Sequence, residues 1–105
     1  MPSATKEIGA LAFSNCNNLT SFTFNNSISS IGGKAFYECK SLTNVTISSS
    51  VTQIGESAFR GCSELISITF NGTKAQWIAV SKDNYWNLYV PSTCIVHCTD
   101  GVLEI

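Results

Sequence analysis

Cys94, His97 and Cys98 form the densest group of chemically versatile side chains, with thiol and imidazole ligands suited to a metal ion. Structural zinc sites usually draw four ligands from two separated pairs, and the sequence offers no second pair. If residues 94–98 form a strand, Cys94 and Cys98 share one face and His97 points to the other. The two thiol-bearing positions then lie about 13 Å apart, too far for a disulfide. We therefore predict no metal site here and assign the cluster to packing.

Catalytic arrangements find equally little support in the sequence. His97 could be combined with Asp83 or Asp100 and one of many serines, but the chain lacks the Gly-x-Ser-x-Gly turn that presents a serine nucleophile. A cysteine nucleophile with His97 as its base would need an accessible thiol, whereas we expect buried cysteines. No phosphate-binding glycine loop or dinucleotide motif occurs. The sequence predicts no enzyme activity and no cofactor.

The composition fits a single domain with few charges: 105 residues, 44% of them hydrophobic and 12% charged, with a net charge of −1. Without a basic surface the chain lacks the electrostatic attraction on which nucleic-acid binding depends, so no nucleic-acid partner is expected. No apolar stretch approaches the roughly 20 residues that span a bilayer, so no membrane span is expected. Residues 1–7 contain no apolar segment and predict no signal peptide within this chain.

A repeat of 23 residues organises the elements that carry these side chains. Three successive copies share the same residue at seven of the 23 positions, which composition alone would rarely produce. The identical positions are Ile8/Ile31/Ile54, Gly9/Gly32/Gly55, Ala12/Ala35/Ala58, Phe13/Phe36/Phe59, Cys16/Cys39/Cys62, Leu19/Leu42/Leu65 and Thr23/Thr46/Thr69. We divide the chain into an N-terminal tail (1–7), three repeats (8–30, 31–53 and 54–76) and a C-terminal cap (77–105).

Each repeat is predicted to form one turn of a coil. Val45 and Ile47 alternate with Asn44 and Thr46, as expected of a half-buried strand. The segment 54–59 spaces its apolar residues as a short helical or 3₁₀ turn would. One such unit cannot bury its own apolar face, so neighbouring units must stack. The predicted fold is an α/β repeat solenoid with short strands on one face, short helical or 3₁₀ turns on the other, and an irregular C-terminal cap. A strand, a short helical segment and recurring Leu, Ile and Cys positions in a unit of 20–29 residues are typical of a leucine-rich repeat, so we expect a right-handed leucine-rich-repeat coil.

The period fails after about residue 71, where Trp and Tyr residues become frequent. Terminal repeats of a solenoid are normally atypical because they cover the core of the last coil. We predict a short helix at 77–82, a strand at 94–98 and a turn at Asp100 and Gly101. Residues 1–7 are too short and polar to cover the first coil in the same way, so its end should be open to another chain or to further repeats.

Cys16, Cys39 and Cys62 occupy the same repeat position and should stack as a ladder inside the coil. Free cysteine behaves as a small buried hydrophobe. Stacked strands would bring the Cα atoms within disulfide range, but the side chains would point in parallel rather than towards each other. We expect reduced core thiols.

The outward strand positions provide a candidate binding face. They are uncharged and able to hydrogen bond, and they form three rows: Ser21/Asn44/Ser67, Thr23/Thr46/Thr69 and Asn25/Ser48/Asn71. Solenoids use extended faces of this kind for binding. Threonine also has high strand propensity, and cross-strand threonine pairs stabilise a sheet without any ligand, so this explanation of the threonine row stays open.

The pattern Ile-Gly-x-x-Ala-Phe-x-x-Cys-x-x-Leu-x-x-Ile-x-Ile resembles the BspA-like class of leucine-rich repeats, found mainly in bacterial surface proteins. The resemblance covers residues 8–76 and extends into segments 71–77 and 97–101. It implies a non-catalytic binding module of a secreted or cell-surface protein, which adheres to host proteins, glycans or other cells through the strand face. The alternative is a structural spacer or self-assembly module that associates through the uncovered N-terminal repeat.

Overall fold

The computed structural model describes residues 6–105, within which nine strands and one helix are present. The strands are β1 (Glu7–Ile8), β2 (Ser21–Thr23), β3 (Ser30–Ile31), β4 (Asn44–Ile47), β5 (Gln53–Ile54), β6 (Ser67–Phe70), β7 (Ser81–Lys82), β8 (Ile95–Cys98) and β9 (Gly101–Glu104). The helix α1 (Lys74–Ala79) lies between β6 and β7.

The strands form two sheets, and each repeat contributes to both. Strands β1, β3, β5 and β7 form a short parallel sheet, and β2, β4, β6 and β8 form a second parallel sheet to which β9 adds in the antiparallel sense. Phe22 pairs with Val45, and Val45 with Ile68, so the register advances by one 23-residue repeat at each step. The repeat fold predicted from the 23-residue period is therefore confirmed. The right-handed sense of the coil stays a prediction.

The second face of the coil differs from the prediction, because α1 is the only helix within residues 6–105. In place of helical or 3₁₀ turns, each repeat has a two-residue strand followed by tight turns, such as the one closed by Tyr37 N donating to Lys34 O at 3.2 Å. Other N–H groups donate to the next coil: Lys34 N to Glu56 O at 2.9 Å, and Phe36 N to Ala58 O at 2.7 Å. The left-handed conformation of Lys34 (φ 56°) interrupts helical geometry, so these N–H groups point to the neighbouring coil. Apolar spacing alone does not distinguish this arrangement from a helical turn.

The invariant glycine sets how closely the coils approach. A Cβ atom on Gly32 would lie 2.4 Å from Ala10 N, and one on Gly55 would lie 2.5 Å from Gly33 N. Both obstructing atoms belong to the backbone of the preceding coil and cannot move without disturbing its hydrogen bonds. No described atom lies within 4 Å of the corresponding position at Gly9. The requirement for glycine therefore arises from stacking.

The core runs through the stack as columns of identical residues. Phe13, Phe36 and Phe59 lie face to face, with ring centroids 5.2 and 5.1 Å apart and interplanar angles of 12° and 3°. Phe36 and Phe59 are fully buried, whereas Phe13 is only half-buried because no described coil covers it. The stack therefore buries its interior coils more completely than its first one.

The last coil is longer than the others. Ile54 pairs with Lys82 and Ile68 with Val96, so both sheets continue into the segment predicted as an irregular cap, at a spacing of 28 residues. Helix α1 lies within this longer coil and begins three residues before the helix predicted at 77–82. The end of that prediction is wrong, because α1 ends at Ala79 and Ser81–Lys82 form β7, which pairs with β5. Strand β8 overlaps the strand predicted at 94–98.

The early start of α1 has a local cause. Thr73 Oγ1 accepts a hydrogen bond from Gln76 N at 3.2 Å, and Thr73 N donates to Gln76 Oε1 at 2.8 Å. This reciprocal pair is a capping box, which satisfies backbone donors that the first turn of a helix would otherwise leave unpaired. The Thr-x-x-Gln spacing was visible in the sequence and marks Lys74 as the first helical residue.

Aromatic side chains cover the C-terminal end of the core. Trp77 packs against Phe70 at 5.2 Å and against Trp86 at 5.8 Å between ring centroids, and Trp86 meets Phe59 edge-on at 6.4 Å. At the other end, Glu7 and Ile8 pair with Ser30 and Ile31. The remainder of the predicted N-terminal tail, residues 1–5, lies outside the described residues.

Candidate functional site

The candidate binding face lies on the outer side of the sheet formed by β2, β4 and β6. The pairings Ser21–Asn44–Ser67 and Thr23–Thr46–Thr69 align the first two predicted rows across the strands. Ser21, Thr23 and Asn44 are exposed, and Thr46, Ser67 and Thr69 are half-buried. The side chains between them, such as Val45 and Ile68, are fully buried. Period-2 alternation therefore orients these two rows as predicted.

The third predicted row is not a continuous outward row, because Ser48 is fully buried. Its hydroxyl donates to Asn25 O at 2.9 Å and lies 2.7 Å from the hydroxyl of Ser50, whose Oγ donates to Ile28 O at 2.6 Å. The chain turns after Ile47, so the alternation that places Thr46 outward no longer applies two residues later. Ser48 therefore supports the turn and is not part of an exposed face.

The other two members of the third row lie at the margin of the face. Asn25 is half-buried, and its Oδ1 accepts hydrogen bonds from Ser27 N at 3.0 Å and from Ser27 Oγ at 2.6 Å. This contact holds the amide against its own turn. Asn71 is exposed. The face is therefore centred on the six residues of the first two rows.

His97 extends the threonine row and was not included in the predicted face. It pairs with Thr69 and is exposed, and Ile95 extends the neighbouring row beside Ser67. The repeat spacing did not indicate that His97 belongs to this row, because His97 follows Thr69 by 28 residues rather than 23. The resulting surface is a strip of hydroxyl and amide groups that ends in one imidazole. Such a strip can donate and accept hydrogen bonds, and its row of Thr23, Thr46, Thr69 and His97 includes no acidic side chain.

Two of the cavities within residues 6–105 lie away from the candidate face. One, of about 270 Å³, follows the glycine positions of the short sheet and is lined by Ser30, Gln53, Gly55 and Asp83 among others. The other, of about 240 Å³, lies between the β4–β5 turn and α1, with Ser49, Thr52 and Gln76 in its lining. Neither includes a residue of the candidate face. A ligand of that face would therefore bind across a sheet surface, as a protein or an extended glycan can.

The cysteine ladder forms as predicted, with its interior members most deeply buried. Cys39 and Cys62 are buried free thiols, and Cys16 is half-buried. Cys39 Sγ lies 3.0 Å from Phe13 O, and Cys62 Sγ lies 3.1 Å from Phe36 O, so each thiol donates to the preceding coil. The neighbouring Cys39 thiol and burial both raise the pKa of Cys62 above its usual range. These cysteines therefore pack as small apolar side chains with a weak donor.

The C-terminal cysteines differ in exposure. Cys94 is fully buried, and burial raises its pKa to about 11. Cys98 is half-buried, and burial together with the charge of Asp100 raises its pKa. His97 points to the opposite, exposed side of β8. Within residues 6–105, no group of three His, Cys, Asp or Glu side chains lies close enough together to hold a metal ion.

Thiol labelling of the native chain should reflect this order of burial. With an aromatic disulfide reagent at pH 8, we expect Cys16 and Cys98 to react and the three buried cysteines to react only on unfolding. The raised pKa of Cys98 leaves less of its reactive thiolate at this pH, so its labelling should become faster as the pH is raised further. Mass spectrometry of the labelled peptides identifies the sites. Rapid labelling of Cys39 or Cys62 in the folded chain would contradict the buried ladder.

No helix within residues 6–105 is long and apolar enough to cross a membrane; the one helix present has six residues.

The 23-residue coils are stacked, their parallel strands have an outward polar face, and columns of Phe, Leu and Cys fill the core. These features define a leucine-rich-repeat protein. The chain belongs to the BspA-type leucine-rich repeat family: residues 1–95 match the family model described as "BspA type Leucine rich repeat region (6 copies)".

Two solved structures are similar to the chain. A leucine-rich cell surface protein from Faecalibacterium prausnitzii is 37% identical, with a TM-score of 0.77 over 80% of this chain and 22% of the other. A leucine-rich repeat protein from T. pallidum is 39% identical, with a TM-score of 0.63 over 66% of this chain and 32% of the other. The chain thus spans about a fifth and a third of these two relatives. No curated protein matches it significantly.

Proposed function

We propose that the chain is a non-catalytic binding module of a secreted or cell-surface protein, which adheres to a host protein, a glycan or another cell through the outward face of β2, β4 and β6. The observation that carries the proposal is the register of two uncharged polar rows across three parallel strands. The cell-surface description of the relative from Faecalibacterium prausnitzii supports the location. The proposed solenoid and its cap serve to hold this face rigid.

The energetic basis of the proposal is that a flat sheet of short side chains loses little conformational freedom on binding. Serine and threonine have few rotatable bonds, so ordering them costs less than ordering lysine or glutamate. Their hydroxyl groups both donate and accept hydrogen bonds, which suits a partner with exposed backbone or sugar hydroxyls. Recognition on such a surface depends on shape and hydrogen bonds rather than on charge steering.

The test uses three lysines placed in the middle of the face. Immobilised extracellular-matrix proteins and a glycan panel are screened with the chain and with a Thr23→Lys/Thr46→Lys/Thr69→Lys variant. Three adjacent lysines add bulk and repulsion to the row, so we expect any partner of the unmodified chain to lose affinity by at least about tenfold, equivalent to 1.4 kcal/mol.

A matched variant controls for the added charge. Ser30, Gln53 and Ser81 form the corresponding outward row of the short sheet, and their replacement by lysine adds the same three charges elsewhere. We expect this control to bind like the unmodified chain. Equal loss in both triple variants, or retention of binding by the threonine variant, would place the site outside the proposed face. Thermal unfolding of both variants confirms that each is folded.

The incomplete burial of the first coil favours a second candidate function, that of a self-assembling structural module. Phe13, Cys16, Leu19 and Phe22 are half-buried, whereas Phe36, Cys39, Leu42 and Val45 at the equivalent positions are fully buried. Exposed apolar side chains beside unpaired strand edges promote association. Sedimentation over a range of concentrations separates the two: a dimer that is lost in a Phe22→Lys variant, with no partner in the screen, would favour assembly over adhesion.

A further inference from the structure

Two exposed tyrosines lie on the turns of the last coil, away from the strand face. Tyr85 and Tyr89 are 59% and 67% exposed, so neither ring belongs to the core. Both residues adopt left-handed backbone conformations, with φ of 60° and 67°. This region suits glycine and asparagine and is unfavourable for a bulky aromatic residue. The same left-handed conformation recurs at both positions in the other described coils, so it belongs to the turns of the repeat, and the aromatic side chains are what distinguish the last coil.

Backbone hydrogen bonds align the two tyrosines with residues of the preceding coil. Ser57 N donates to Asn84 O at 3.0 Å, and Gly61 N donates to Leu88 O at 2.8 Å. The same bonds connect every pair of neighbouring coils, so Tyr85 corresponds to Ser57 and Tyr89 to Gly61. The last coil therefore presents an exposed aromatic ring at both positions, where the preceding coil has a serine and a glycine. Exposed apolar surface that does not contribute to the core marks candidate binding sites.

A cation without a charged partner lies beside both rings. The guanidinium carbon of Arg60 is 6.0 Å from the ring centroid of Tyr85 and 5.6 Å from that of Tyr89. No residue from 6 to 105 accepts a hydrogen bond from this guanidinium or forms an ion pair with it, and Glu38, whose carboxylate lies over Gly61, does not pair with it. Its five N–H donors are therefore available to a ligand.

We propose that Tyr85, Arg60 and Tyr89 form a binding site for an acidic saccharide, with the sugar ring packed on the tyrosines and its carboxylate bound by Arg60. Tyrosine provides a rigid apolar face at a low entropic cost, and arginine binds a planar carboxylate through two parallel hydrogen bonds. The inference rests on the proposed binding role but uses a surface separate from the strand face.

The size and charge of the surface formed by Tyr85, Arg60 and Tyr89 favour an acidic saccharide as the ligand. Two rings and one guanidinium provide far less than the roughly 800 Å² per partner that a stable protein interface buries. A ligand of one or two sugar units matches this area. The unpaired positive charge favours a carboxylated sugar over a neutral one, and it disfavours a cationic ligand, which the aromatic rings alone would accept.

The site is tested by titrating the full chain with 3′-sialyllactose, a hyaluronan tetrasaccharide and lactose while the tyrosine ring resonances are followed by NMR. We expect saturable shifts of Tyr85 and Tyr89 with at least one acidic sugar, and at least tenfold weaker binding of lactose. The absence of shifts with both acidic sugars up to about 10 mM would overturn the proposal.

The decisive variant is Tyr85→Ser/Tyr89→Gly, which restores the residues of the preceding coil. We expect it to lose at least tenfold in affinity for the acidic sugar while its Tm is equal to or higher than that of the unmodified chain. Retained affinity, or a lower Tm, would show that the rings serve the fold and would overturn the proposal. Arg60→Gln should abolish the preference for acidic sugars without unfolding the chain. The tyrosine resonances report binding at this site directly. Failure of the strand-face proposal would therefore not change the outcome of the sugar titration, and failure of the sugar titration would not affect the test of the strand face.

Discussion

Replacement of Gly55 by alanine is expected to lower the free energy of unfolding by about 3 kcal/mol. The added Cβ atom would lie 2.5 Å from Gly33 N and 2.8 Å from the carbonyl carbon of Gly32. Both atoms belong to the preceding coil, where the Gly55 N–H already donates to Ile31 O at 2.8 Å. Relief of the clash requires the two coils to separate, which strains that bond and the neighbouring sheet pairs. Urea denaturation monitored by tryptophan fluorescence measures the loss.

The same substitution at Gly9 provides the matched control. Gly9 holds the equivalent position in the first described coil, and no described atom lies within 4 Å of the point that a Cβ atom would occupy there. We expect Gly9→Ala to change the unfolding free energy by no more than about 0.5 kcal/mol. Comparable losses at Gly9 and Gly55 would show that the glycine is required by its own backbone conformation rather than by the approach of the preceding coil.

Replacement of Phe36 by alanine is expected to destabilise the chain by about 4 kcal/mol. Phe36 is fully buried and stacks between Phe13 and Phe59, whose ring centroids lie 5.2 and 5.1 Å away. The rings of Phe22 and Phe24 pack against it at 5.2 and 5.7 Å. Its removal leaves a cavity between coils that are fixed by sheet hydrogen bonds on either side. Because the coils cannot collapse into that space, the lost contacts are not replaced.

A Phe13→Ala variant tests whether the loss of unfolding free energy depends on the position of the phenylalanine in the stack. Phe13 occupies the same repeat position but is half-buried at the first coil, so Phe13→Ala should cost about 2 kcal/mol, roughly half as much. Urea denaturation of the two variants under identical conditions gives the comparison. Equal losses would mean that Phe13 is as well covered as Phe36 and would remove the structural basis for association through the first coil.

The repeat fold could be predicted from sequence because the same physical requirement recurs three times. Each coil needs apolar residues such as Val45 and Ile47 to meet those of its neighbours, and a glycine where the backbones approach. The second sheet could not be predicted in this way. Its strands are only two residues long, as at Ser30–Ile31, and its turns depend on left-handed residues such as Lys34, a conformation that a lysine in the sequence does not indicate.

The candidate face was predictable wherever period-2 alternation holds and not beyond it. Thr46 follows the alternation of β4, whereas Ser48 lies past the strand end and turns inward to donate to Asn25 O. His97 was missed for the opposite reason: the pairing continues, but α1 lengthens the last coil and hides the period. Spacing identifies a row of side chains only where the turns between strands have equal length.

The most direct test of the proposed binding role follows the threonine methyl groups themselves. The chain is labelled with ¹³C at its threonine methyls and titrated with each protein or glycan retained in the screen. We predict saturable shifts or broadening at Thr23, Thr46 and Thr69, with Thr52 and Thr93 unchanged because they lie outside the face. Binding that perturbs Thr52 or Thr93 and leaves the three row threonines unaffected would contradict the assignment of the strand face as the binding surface.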